Sequence, residues 1–95
     1  MKSIKVNLED MPDLQHVLLR GYSTYEDFIS SLVTSGLPKD KESFITRIPD
    51  AYVLDDWIAL FAIADRYTSM YSCTGSEIMA GVLDVVHTDY LLHYN

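Results

Sequence analysis

The stretch Val53-Leu54-Asp55-Asp56-Trp57-Ile58-Ala59-Leu60-Phe61-Ala62-Ile63-Ala64-Asp65-Arg66-Tyr67 decides the fold class. On a helical wheel Val53, Trp57, Leu60, Phe61, Ala64, Tyr67 and Tyr71 form one broad face, which predicts a helix over about 50–71 with that face in the core. The opposite face carries Asp55 and Arg66, but also Ala59, Ala62, Ile63 and Met70. A helix that is apolar on most sides is central in a bundle or lies at an oligomer interface. Ala59, Ala62, Ile63 and Met70 are therefore a candidate self-association face, with the two alanines permitting close helix packing.

Downstream, Thr74-Gly75-Ser76-Glu77 has the form of a capping box and opens a fifth helix. Its expected core stripe is Met79, Val82, Leu83, Val86 and Tyr90, with Glu77, Gly81, Asp84 and Thr88 outside. Extending that helix places Leu91 and Leu92 on its polar face, so the period predicts a break near Thr88 or Asp89. The tail Asp89-Tyr90-Leu91-Leu92-His93-Tyr94-Asn95 is apolar for a chain end, and is expected to dock on its own domain or on a second copy.

Upstream, Asp10 as N-cap, Pro12 in the first turn and Gly21 beyond the end bound a helix over about 11–20, with Met11, Leu14, Val17 and Leu18 inward. Ser23-Thr24-Tyr25-Glu26 reads as a capping box for a second helix over about 24–34, with Tyr25, Phe28, Ile29 and Leu32 inward and Gly36 as its stop. A third, short helix opens at Pro38, buries Phe44, Ile45 and Ile48, and closes before Pro49. Ile4, Val6 and Leu8 alternate with Lys5 and Asn7, the pattern of a short strand or extended arm over 3–8. Ninety-five residues hold about one domain. The fold expected is a single all-α compact bundle of four to five helices with a short N-terminal extended segment.

Composition narrows the class. Hydrophobic residues make up 48% and charged residues 22%, enough apolar side chains to build a core. The longest uncharged apolar run, Trp57 to Ala64, falls well short of the ~20 residues that span a bilayer. Basic Lys2 and Lys5 are followed by no apolar h-region, and the one cysteine, Cys73, has no intramolecular disulfide partner. A cytoplasmic protein without membrane contact is expected.

Net charge is −7, and it is unevenly placed. Residues 1–47 hold seven acids and six bases; residues 48–95 hold seven acids (Asp50, Asp55, Asp56, Asp65, Glu77, Asp84, Asp89) against Arg66 alone. Such a field repels phosphate backbones, so direct nucleic-acid binding is not expected. It steers the protein instead toward a basic patch on another protein.

No catalytic, cofactor or metal constellation stands out. Asp13-Leu14-Gln15-His16 and Asp84-Val85-Val86-His87 each set a carboxylate three residues before an imidazole, as in helical di-metal proteins. Asp84, however, lies off the core stripe and Asp13 in a first turn, so two solvated helix pairs are the reading. Cys73 precedes a helix start, where a thiol can be activated, but no base adjoins it in sequence. Ser72, Thr74, Gly75 and Ser76 offer an anion cradle at that same start, without the lysine of a phosphate loop. Asp55 and Asp56 are adjacent, some 100° apart on a helix, and cannot share a proton.

Seven Tyr, one Trp and four Met suit a protein interface. The expected function is a non-enzymatic, acidic interaction protein that masks a basic surface of a partner, itself a nucleic-acid-binding protein. An inhibitor of the anti-CRISPR or antirestriction kind that phages deploy is the concrete form. Asp55, Asp56, Asp65, Glu77, Asp84 and Asp89 would supply the charge, and Tyr90, Leu91, Leu92 and Tyr94 the apolar anchor. The alternative is a homo-oligomeric adaptor, at its simplest a homodimer, built on the apolar tail and the outer face of the fourth helix.

The stretch from Leu37-Pro38-Lys39 through Phe61 to Tyr71, with Leu18-Leu19-Arg20 upstream, resembles the small YozE-type domains, whose fold is sterile-alpha-motif-like. The resemblance implies five short helices. It transfers no functional residue.

Overall fold

The structure is a computed structural model and describes residues 4–48 and 54–94. Helices α1 (Pro12–Leu18), α2 (Tyr25–Thr34), α3 (Lys41–Arg47), α4 (Leu54–Ala64), α5 (Thr68–Tyr71) and α6 (Gly75–Tyr94) succeed one another, with 3-10 turns at Leu8–Asp10 and Asp65–Tyr67. Five of these helices have seven or more residues, and no strand occurs among the described residues. The all-α bundle is as the sequence implies. Its radius of gyration, 12.7 Å, matches the ~12.4 Å expected of a folded chain this long.

The helix boundaries follow from local chemistry. Thr24 caps α2 by accepting the Asp27 amide (3.1 Å). Asp40 caps α3 by accepting the Ser43 amide (2.8 Å), and these hydrogen bonds hold the Asp40 carboxyl below its usual range. Gly21 (φ 88°) and Gly36 (φ 74°) take the left-handed turns that stop the chain after α1 and α2. At α6 the capping box is complete: the Glu77 amide donates to Thr74 Oγ1 (3.2 Å), and the Glu77 carboxylate accepts from the Thr74 amide (3.1 Å). Asp10 is not the cap of α1. Asn7 caps a 3-10 turn ahead of it, and Asp10 is the last residue of that turn.

α6, the 20-residue spine, packs against α2, α3 and α4, while α4 also packs on α1. Met11, Leu14 and Leu18, then Phe28, Ile29 and Leu32, then Phe44 and Ile48, close over Ile78, Met79, Val82, Val86 and Tyr90, all buried. Each such large side chain contributes about 1.5–3 kcal/mol by leaving water.

Four expectations are corrected. The fourth helix is not uniform: α4 tightens into the 3-10 turn Asp65–Tyr67 before α5, and its expected start, Asp50 to Val53 with Tyr52, lies outside the described residues. Its buried face is also turned, with Asp56, Leu60, Ile63 and Ala64 inward and Phe61 exposed. α6 does not break at Thr88 but runs to Tyr94, because Tyr90 and Tyr94 find partners that keep the last two turns docked. Finally, Gly81 is buried. The arm Ile4–Asn7 crosses it so closely that an added Cβ would sit 3.0 Å from the Ile4 carbonyl oxygen and from a Val6 methyl. That arm keeps the expected alternation, Val6 and Leu8 inward and Lys5 and Asn7 outward, without pairing as a strand.

Candidate functional site

Side chains proposed as an exposed anchor on the tail are largely engaged within the domain. Tyr90 is fully buried, donates its hydroxyl to the Leu37 carbonyl and stacks beside Phe44 (5.1 Å). Burial, with Tyr94 adjacent, pushes the Tyr90 phenol above its usual range. One turn earlier, His87 is buried against Phe44 (5.3 Å), and its Nε2–H donates to the Lys39 carbonyl (3.3 Å). One turn later, the Lys39 ammonium lies 4.1 Å from the centre of the Tyr94 ring. His87, Tyr90 and Tyr94 thus fasten residues 37–40 to the end of α6. Leu91 is half-buried, leaving Leu92 as the large aliphatic side chain of the tail that is mostly in water.

The acids expected to supply the charge are spread over α4, the turn after it and α6. Asp56 is buried in an ion pair with Arg20 at the end of α1. Asp84 pairs with Lys41 of α3, and Asp84 and Asp89 line a 340 Å³ hollow with Lys5 of the N-terminal arm, so basic groups stand beside both. Glu77 serves the capping box. Asp55 and Asp65 remain exposed, and no ion pair reaches either among the described residues.

Asp65 also explains Gly75. Its carboxylate lies against the Gly75 Cα at the start of α6, where any side chain would collide with it. Negative charge is favoured at a helix N-terminus. The helix start read as an anion cradle therefore already meets the chain's own carboxylates, Asp65 and Glu77. Among the described residues, no three His, Cys, Asp or Glu side chains converge as a metal site. His16 lines an open 430 Å³ hollow with Gln15, Leu19, Arg20 and Tyr22, and Arg20 is held there by Asp56.

The proposed self-association face is divided by the turn of α4. Ile63 is buried, Ala59 half-buried, and Ala62 and Met70 exposed. In its place stands a stripe at i, i+4 and i+7: Leu54 (73% exposed), Ile58 (58%) and Phe61 (41%), on the side of α4 away from α1 and α6. Trp57, half-buried, borders it with its ring 6.3 Å from that of Phe61. Asp55 and Ala62 flank the stripe, and Asp65 ends it. Three large apolar side chains grouped on one helix face are the usual mark of a contact surface, where single scattered ones are not. The sequence gives no local sign of this, since a core stripe has the same spacing.

Comparison with protein-family models, curated proteins and solved structures found no match to this chain. Among the described residues, no helix is long and apolar enough to cross a membrane.

Proposed function

We propose that this chain is a non-enzymatic interaction protein of the cytoplasm that binds and masks a basic surface of a partner protein. The observation that carries the reading is the α4 stripe Leu54, Ile58 and Phe61, exposed beside Asp55 and Asp65, two exposed acids that no ion pair reaches among the described residues. An apolar centre excludes water, while acids at its edge select a basic partner and speed the encounter. Proteins that handle nucleic acids carry such basic surfaces, so an inhibitor of the anti-CRISPR or antirestriction kind is its concrete form. Relative to the sequence reading, the contact moves from the tail of α6 to the outer face of α4.

The experiment is capture from cytosol by the tagged chain, with washes at low salt and at about 0.5 M salt, where screening shortens the reach of charge to a few ångströms. Support is a basic nucleic-acid-binding protein, released by salt and no longer retained by the Leu54→Asp/Ile58→Asp double variant. Recovery of only the chain's own copies overturns the reading in favour of a self-assembling adaptor.

A further inference from the structure

We infer that the element docking on α4 is a basic amphipathic helix of the partner, lying along Leu54, Ile58 and Phe61 with its basic side chains over Asp55 and Asp65. This inference rests on the masking reading and specifies its partner.

The shape of the face supports a helix. Leu54, Ile58 and Phe61 rise as one ridge over about 10 Å, at 1.5 Å per residue. Beside the ridge stand two small residues, the exposed Ala62 and the half-buried Ala59. A ridge of large side chains bordered by small ones is a surface against which a second helix packs, with its axis some 8–10 Å away. The ends of the face carry opposite demands to its middle: Asp55 lies in the first turn of α4 and Asp65 just past its last, so a partner needs apolar groups centrally and cations at both ends.

Charge separates this occupant from a second copy of the chain. Two α4 faces meeting about a two-fold axis, antiparallel, bring Asp55 of each toward Asp65 of the other, like charges on a protein of net charge −7. The nearby base, Arg66, leans toward Asp13 at 3.9 Å and offers little relief. A helix bearing Lys or Arg converts both repulsions into attractions. Trp57 borders the face, so docking changes its surroundings.

The test uses the whole chain and a fluorescently labelled lysine–leucine peptide of about 18 residues, five helical turns, with leucines at i, i+3, i+4 and i+7. Binding is followed by peptide anisotropy, with Trp57 emission as a second reading. A scrambled peptide of the same composition and a glutamate–leucine analogue are the controls. The expected result is saturable binding of the amphipathic basic peptide, at least about tenfold tighter than either control and at least about tenfold weaker for Ile58→Asp. Circular dichroism checks that Ile58→Asp, altered at an exposed position, keeps its helices. Equal binding of the scrambled peptide overturns the helix assignment and leaves a basic surface as the partner. Absence of binding by either basic peptide also overturns the assignment, and cytosolic capture then decides separately whether masking itself fails.

Discussion

Along α6, His87, Tyr90 and Tyr94 fall at i, i+3 and i+7, and all three close onto residues 37–40. Along α4, Leu54, Ile58 and Phe61 fall at i, i+4 and i+7 and stand in solvent. The two stripes look alike as text, and what lies opposite separates them. The loop before α3 presents the carbonyls of Leu37 and Lys39, which accept the hydroxyl and imidazole protons that α6 must otherwise bury without partners. Among the described residues no element lies across from Leu54 and Ile58, because α4 meets α1 and α6 with its other side. An apolar stripe is thus evidence of a contact, and topology decides whether that contact is inside the molecule.

The strongest way to break this contrast is Tyr90→Ala. It removes a fully buried ring and leaves the Leu37 carbonyl unpaired, and should cost about 3–5 kcal/mol in urea unfolding. A loss below about 1 kcal/mol would mean that the tail is peripheral after all. Next comes Gly75→Ala, whose methyl meets the Asp65 carboxylate. A loss of about 1–3 kcal/mol is expected, largely recovered when Asp65→Ala is added, as a double-mutant cycle would show.

Tyr90→Phe is milder, about 1–2 kcal/mol for the unpaired carbonyl, and carries a pH signature. The phenol's ordinary value is 10.0 and burial raises it in the folded state. The folded chain therefore holds that proton more tightly than the unfolded chain. Stability from this group is intact below pH 10.0 and declines as pH rises from there through the folded value. In the phenylalanine variant the alkaline decline of the unfolding midpoint should be shallower than in the parent. Smallest of all, Leu54→Asp or Ile58→Asp should leave stability within about 0.5 kcal/mol of the parent, since both side chains are already in water.

Much of the bundle was legible because helix punctuation is local. Thr74 and Glu77, Gly21 and Gly36 act through atoms a few residues away, and they mark the ends of helices where the sequence says they should. The inward stripes of α1 and α2 and most of that of α6 were legible for the same reason, although Leu83 is half-buried and the buried Ile78 and His87 lie outside the expected stripe. The rotation of α4 was not. Asp56 reads as a solvent-facing acid, yet it is buried on the same side as Ile63, with Phe61 outside, and its partner Arg20 stands thirty-six positions earlier in the chain. The burial of Gly81 depends likewise on the arm that crosses it. How the acids group was not legible either, because Asp84 and Asp89 are close in sequence, whereas Lys41 and Lys5 reach their neighbourhood only through the fold.

The most direct measurement compares two double variants in peptide binding: Leu54→Asp/Ile58→Asp on the outer face of α4 and Asp84→Asn/Asp89→Asn on α6. The first should lose the amphipathic basic peptide, while the second should bind it within about threefold of the parent, as expected of half-buried charges on a different helix from the contact. Loss of binding in the α6 variant with retention in the α4 variant would contradict the α4 contact, and would return it to the tail.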